Sequence, residues 1–98
     1  MIMDKVEQVL DKFGYNTIIS GGLEGTHGPR SAHYRNMALD FRTHHISKQA
    51  QEGVYLALCE AFGADPTSGL GTTYDVLWEA KGTPHDHWHI EVNMRVVE

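Results

Sequence analysis

Three histidines and an aspartate lie within nine residues near the end of the chain, in the segment PHDHWHIEV at residues 84–92. The alternation in this segment predicts a β-strand in which His87, His89 and Glu91 face one side, while the apolar residues between them face the other. Histidine is the commonest protein metal ligand and the usual acid or base at neutral pH. One face of the predicted strand could therefore hold a metal ion or transfer protons.

A second group of such residues lies in SAHYRNMALDFR, at residues 31–42. His33 ends a glycine-rich loop and Asp40 lies on the strand predicted after it, so a loop that curls back onto the strand can bring the two together. Two histidines and a carboxylate form a set that can hold a catalytic zinc ion and leave one position open for water. The metal would lower the pKa of that water toward about 7 and polarise a carbonyl, and a further carboxylate would transfer the proton.

The two segments resemble the motifs of the zinc D-Ala-D-Ala carboxypeptidase family. SAHYRNMALDFR is similar to the pattern S-x-H-x-x-G-x-A-x-D, and DHWH is similar to an acidic residue placed three positions before a zinc histidine. That family includes phage L-alanyl-D-glutamate endopeptidases and vancomycin-resistance dipeptidases, and it shares its fold with the Hedgehog signalling domain. The resemblance covers residues 18–92, with the two motifs in the family's order and a predicted helix between them.

The resemblance implies a role for each matching residue. His33, Asp40 and His89 would be the zinc ligands, and Asp86 would be the catalytic carboxylate that takes a proton from water and passes it to the leaving amine. His87 matches a histidine that some family members keep beside the metal, where it would stabilise the transition state.

The chain departs from the family pattern at two positions. Asn36 stands where the motif has glycine, and asparagine tolerates the positive φ that such a turn can require. Leu23 stands where many members have a substrate-binding arginine. Either Arg30 or Arg42 could replace that arginine, which makes substrate recognition the least defined part of the resemblance.

Four further residues have predicted roles around this site. His27 lies in the glycine-rich loop, where it could line the cleft or cap the loop. His27, Arg30 and Ser31 are candidates for substrate binding. For Ser31 the alternative is a hydrogen bond to the backbone of the turn. Glu79 is the alternative base, because a hairpin could bring it near His87. Glu91 could hold the second nitrogen of a zinc-binding histidine.

The elements that must position these residues predict an α+β domain. Helices are expected at residues 5–13 and 48–62, and strands at 15–20, 37–43, 74–80 and 87–97. Asp4 and Ser47 are the expected N-caps of the helices. The last two strands should form an antiparallel hairpin in a small, mainly antiparallel sheet, with the helices against one face. The resemblance implies that this is the Hedgehog/DD-peptidase fold.

Composition limits the classes of protein that the chain can belong to. Its 98 residues, of which 41% are hydrophobic, suit a single domain spanning residues 1–98. The net charge is −5 without any basic run, which argues against a nucleic-acid partner. No apolar run approaches the roughly 20 residues of a membrane span. Cys59 is the single cysteine, so an intramolecular disulfide and a cysteine-based zinc site are excluded.

The expected function is hydrolysis of peptide bonds in bacterial peptidoglycan by a zinc-dependent endopeptidase or D,D-carboxypeptidase of the phage or prophage lytic type. The expected protein is a monomer that is cytoplasmic as synthesised, because no signal peptide is evident. It would act on the cell wall after release, or on wall fragments in the cytoplasm. The alternative is a non-catalytic zinc-binding interaction module, or a structural phage component, with the same fold.

Overall fold

The computed structural model describes residues 2–21 and 38–92, and this part of the chain is an α+β domain, as predicted. It contains two helices and four strands. Their order along the chain is α1 (Ile2–Phe13), β1 (Ile19–Gly21), β2 (Ala38–Arg42), α2 (Lys48–Phe62), β3 (Tyr74–Glu79) and β4 (His87–Val92).

The four strands form one sheet in the order β1-β2-β4-β3, and every neighbouring pair is antiparallel. The predicted hairpin of the last two strands is confirmed, since β3 and β4 pair along their full lengths. β4 therefore lies between β2 and β3, and its side chains have cross-strand neighbours on both sides. This central position brings residues from three strands to His87 and His89.

The two faces of the sheet differ sharply in polarity. Phe41, Trp88 and Ile90 are fully buried on one face, where they join the buried residues of both helices in one hydrophobic cluster. The hydroxyl of Tyr55 on α2 donates to the carbonyl of Val76 on β3 at 2.9 Å, which ties the helix layer to the sheet. The helices thus cover the apolar face, and the opposite face carries the polar side chains of the candidate site.

Helix α2 has the bounds that its sequence predicts. The hydroxyl oxygen of Ser47 accepts a hydrogen bond from the amide of Ala50 at 3.2 Å, and Gly63 ends the helix in the left-handed conformation at φ 74°. Helix α1 begins earlier than predicted, so Asp4 lies in its first turn instead of capping it. The reason is the side chain of Ile2, which is fully buried four residues before the equally buried Val6 and extends the apolar stripe.

Strand β1 is shorter than the predicted strand at residues 15–20. The amide of Tyr15 donates to the carbonyl of Leu10 at 3.0 Å and completes the end of α1. The carbonyl of Asn16 accepts from the ring of His45 at 2.6 Å. The Tyr15 amide and the Asn16 carbonyl are therefore already hydrogen-bonded elsewhere, and the pairing with β2 begins later in the chain. None of the helices in the described ranges is long and apolar enough to cross a membrane.

Candidate metal site

The polar face of the sheet brings Asp40, Glu79, His87 and His89 together from three strands. The register pairs Asp40 on β2 with His89 on β4, and Glu79 on β3 with His87 on β4. Directly opposed residues of antiparallel strands point to the same face with their side chains close together. The pairing of the strands therefore brings Asp40 close to His89 and Glu79 close to His87.

Asp40 and His89, two of the three predicted zinc ligands, are in direct contact. Nδ1 of His89 lies 2.5 Å from Oδ1 of Asp40, and both side chains are half-buried. On the other side of the ring, Nε2 of His89 lies 2.7 Å from Oε1 of Glu91. This is the contact that the sequence analysis expected for Glu91. It leaves one ring nitrogen for a metal and holds the other by a carboxylate.

His87 lies between two carboxylates and a backbone carbonyl. Its Nδ1 is 2.8 Å from the carbonyl oxygen of His85, which can only accept, so Nδ1 carries a proton. Its Nε2 is 2.8 Å from Oε1 of Glu79 and 4.0 Å from Oδ2 of Asp40. Asp40, Glu79 and His87 each offer a ligand atom, and these atoms lie within 4.8 Å of one another. The three residues could therefore hold a metal ion.

The pKa of both histidines is raised from the ordinary value for imidazole. Burial by itself lowers the pKa of His89, but its hydrogen bonds to Glu91 and Asp40 outweigh that effect. For His87, burial likewise lowers the pKa, and the bonds to the His85 carbonyl and to Glu79 raise it further than burial lowers it. The carboxylates thus favour a positive charge on these rings, and a cation on the ring nitrogens would meet the same favourable field.

Asp86, the predicted catalytic carboxylate, is buried and accepts three hydrogen bonds. The Thr43 hydroxyl and the Trp78 indole N–H both donate to Oδ1 at 2.7 Å, and the Gly82 amide donates to Oδ2 at 2.8 Å. Burial raises the pKa of Asp86, but these three donors lower it by more and keep it below the ordinary aspartate value. Asp86 therefore fixes the turn between β3 and β4, and it is ionised at neutral pH.

A cleft of about 560 Å³ lies beside Asp40 and His87 on the polar side of the sheet. Its lining includes Asp40, Arg42, Asp86 and His87. Arg42 is exposed on β2 directly opposite His87, so its guanidinium is available to a ligand in this cleft. Of the two arginines considered as replacements for the family's substrate-binding arginine, Arg42 is the one whose position the structure gives.

Several predicted residues lie outside the described part of the chain. These residues are Leu23, His27, Arg30, Ser31, His33 and Asn36. The predictions of His33 as a zinc ligand and of Arg30, His27 and Ser31 as substrate-binding residues therefore stay predictions.

The metal-binding potential of Glu79 was missed by sequence reasoning, which named it only as an alternative base. The available signal was the predicted hairpin, since pairing β3 with β4 places Glu79 opposite His87. Thr43 and Trp78 were missed as partners of Asp86, because nothing in the sequence pattern relates them to it.

The comparisons with known proteins add no relative: no family model, no curated protein and no solved structure matches the chain. The class defined by the fold and the site is an α+β domain with a potential metal site on the open face of an antiparallel sheet. The donor set fits a zinc ion, because Zn²⁺ binds imidazole nitrogen and carboxylate oxygen. The same set would also accept other divalent transition metals.

Proposed function

We propose that the chain is a zinc-dependent peptidase that hydrolyses peptide bonds of bacterial peptidoglycan. The observation that carries the proposal is the meeting of Asp40 and His89, which are 49 residues apart in sequence and 2.5 Å apart in space. These are two of the three zinc ligands implied by the family resemblance. Ligands of one metal must be neighbours in space, and no local pattern in the sequence brings these two residues together.

Each residue of the described site has a proposed part in the reaction. Asp40 and His89 would hold the zinc ion together with His33, and a bound zinc ion would supply an activated water and polarise the scissile carbonyl. Asp86 receives the proton of the attacking water and passes it to the leaving amine. His87, in the same cleft, donates a hydrogen bond to the negatively charged oxygen that develops as the carbonyl is attacked.

The proposed substrate is a stem or cross-link peptide of the wall. Such peptides are short and carry free carboxylates. Arg42 is exposed at the edge of the cleft and can bind a carboxylate with two parallel hydrogen bonds. A phage or prophage lytic role would place this activity at the wall after release of the protein. The bond that is cut would then distinguish an endopeptidase from a D,D-carboxypeptidase.

The test is mass spectrometry of purified peptidoglycan after incubation with the zinc-loaded chain, beside a sample treated with a chelator. We expect new fragments in the zinc-loaded sample, no fragments after chelation, and a loss of at least about 100-fold in rate for His89→Ala. Glu60→Gln, a carboxylate-to-amide change on the exposed part of α2, is the matched control and should digest normally. An unchanged digest with zinc bound would contradict the proposal.

A second candidate function is a metal-binding interaction module without turnover. The contacts of Asp86 favour it, because the donors of Thr43, Trp78 and Gly82 stabilise the ionised carboxylate and lower its pKa, which opposes the uptake of a proton. The comparison of Asp86→Asn with Glu79→Gln separates the possibilities. Loss of turnover only in Asp86→Asn supports Asp86 as the base, and loss only in Glu79→Gln, with the bound metal unchanged, moves the base to Glu79. Absence of turnover in the parent chain would favour the interaction module over the peptidase.

A further inference from the structure

The two oxygens of Asp40 face two different histidines. Oδ1 lies 2.5 Å from Nδ1 of His89, and Oδ2 lies 4.0 Å from Nε2 of His87. A carboxylate between two imidazoles is placed to bridge two metal ions, which in two-metal sites are about 3.5–4 Å apart. The single zinc site implied by the sequence motifs pairs Asp40 with His89 and does not involve the oxygen that faces His87.

His87 is oriented as metal-binding histidines usually are. The carbonyl of His85 accepts from its Nδ1 at 2.8 Å, which leaves Nε2 as the nitrogen that would carry the lone pair in the neutral ring. That nitrogen points toward Oε1 of Glu79 and Oδ2 of Asp40. The orienting bond comes from the backbone of the turn, so it does not depend on any other part of the proposed site.

The spacing of these atoms is close to what a cation needs. Tetrahedral zinc with bonds of about 2.0–2.2 Å separates its ligand atoms by roughly 3.3–3.6 Å. Nε2 of His87 lies 4.0 Å from Oδ2 of Asp40 and 2.8 Å from Oε1 of Glu79, so each of these two separations would change by less than about 1 Å to match zinc, and all three ligand atoms already lie within 4.8 Å of one another. Glu79 is 47% exposed, which gives its side chain the freedom to move.

His89 repeats the arrangement with its two nitrogens exchanged. Its Nδ1 faces Asp40, and its Nε2 is held by Glu91 at 2.7 Å. Each histidine thus has one nitrogen directed toward Asp40 and one nitrogen held by a separate acceptor. Three carboxylates, those of Asp40, Glu79 and Glu91, contact these two rings, and their mutual repulsion favours more than one cation.

We propose that Asp40 bridges two divalent cations, one bound with His89 and a second bound by Glu79 and His87. Nδ1 of His87 bonds the His85 carbonyl and Nε2 would bind the second cation, so that cation would replace the His87 N–H as the group that stabilises the developing oxyanion. The inference rests on the metal site proposed above for Asp40 and His89, and it adds a second position that the motif resemblance does not supply. The second position is built entirely from oxygen and imidazole donors, so it would take Zn²⁺, Co²⁺ or Mn²⁺.

The test is titration of the metal-free chain with Zn²⁺ by calorimetry, and the absorption spectrum of bound Co²⁺ reports independently on the coordination. We expect two equivalents in the parent chain and in the control Glu60→Gln. We expect one equivalent in Glu79→Gln and one in His89→Ala. Far-ultraviolet circular dichroism of each variant confirms folding before the titration, and Glu79 is exposed enough that its replacement leaves the core unchanged.

The contrary outcomes separate this inference from the proposed function. One equivalent in the parent chain that persists in Glu79→Gln and is lost in His89→Ala would overturn the second position and keep the proposed zinc site. One equivalent that is lost in Glu79→Gln and persists in His89→Ala would overturn both the bridge and the proposed ligand set. Two equivalents in Glu79→Gln would remove Glu79 from the site.

Discussion

At the scale of single residues, Asp86 combines a structural role with a position in the candidate site. Its carboxylate joins Thr43, the residue after β2, to Trp78 on β3 and to Gly82 in the turn before β4. All three partners are donors, so only a group that accepts on both oxygens satisfies them. The requirement for an ionised carboxylate at this position follows from packing even before any chemistry is considered.

Replacing Asp86 with asparagine should therefore cost stability as well as activity. The amide nitrogen of asparagine would be a donor placed against a donor, and one hydrogen bond of the buried group would be lost. We expect the free energy of unfolding to fall by about 1–3 kcal/mol, measured by urea denaturation at pH 7. Asp65→Asn is the control, since Asp65 is exposed and its carboxylate accepts a local bond from the amide of Thr67, and its effect should stay below about 0.5 kcal/mol. Equal stability of Asp86→Asn and the parent would show that the three bonds contribute little.

The chemistry of single residues was partly predictable from the sequence. The period of two along β4 correctly separates His87 and His89 from Trp88 and Ile90. The contact of His89 with Asp40 depends on the register of β2 against β4, and these strands are separated by α2 and β3, so no local pattern specifies it. The motif resemblance predicted that contact where the alternation could not.

At the scale of secondary-structure elements, the sequence was most informative where the ends of an element carry their own signals. Helix α2 has both a capping serine and a terminal glycine, and its bounds were predicted correctly. Strand β1 has no such signals, and its length is decided by backbone bonds to α1 and to His45. Local chemistry thus defines α2, whereas tertiary contacts define β1.

Two glycines give opposite predictions for the same substitution. A Cβ on Gly71 would lie 2.3 Å from the carbonyl oxygen of Tyr74 and 2.8 Å from that of Gly63, so the loop before β3 would have to move. A Cβ on Gly53, inside α2, would meet only the ring of Phe13 at 3.6 Å, which is an ordinary contact. We expect Gly71→Ala to lower the free energy of unfolding by more than about 1 kcal/mol and Gly53→Ala to raise it by about 0.5–1 kcal/mol.

Thermal unfolding of the two alanine variants beside the parent chain measures this difference. Since both changes add one methyl group, the sign of the shift reports on the local backbone. A parent-like melting temperature for Gly71→Ala would mean that the loop before β3 is not held against Tyr74 and Gly63 as the structure has it.

At the scale of the whole molecule, the architecture would couple metal binding to stability. The helices cover one face of the sheet, and the other face places carboxylates of β2, β3 and β4 near one another. Bringing like charges together costs free energy on folding, and the imidazoles offset part of this cost by holding protons. A metal that binds only the folded chain would take over that role and would shift the folding equilibrium by mass action.

Zinc should therefore raise the melting temperature, and it should do so more at pH 8 than at pH 6. At free zinc about 100-fold above the dissociation constant, the added stability is about 2.7 kcal/mol, or roughly 10–20 °C for a domain of this size. The raised pKa values of His87 and His89 mean that protons stabilise the metal-free fold below the unfolded value of about 6.5 and that this contribution is lost as pH rises through the folded values. Zinc must displace those protons, so its apparent affinity should fall at least about tenfold between pH 8 and pH 6.

Differential scanning calorimetry of the chelated and zinc-loaded chain at both pH values measures this effect on the melting temperature. In the variant His89→Ala the zinc-induced shift of the melting temperature should shrink. A zinc shift of equal size at both pH values would contradict coordination by these histidines, because carboxylates alone remain ionised across that interval.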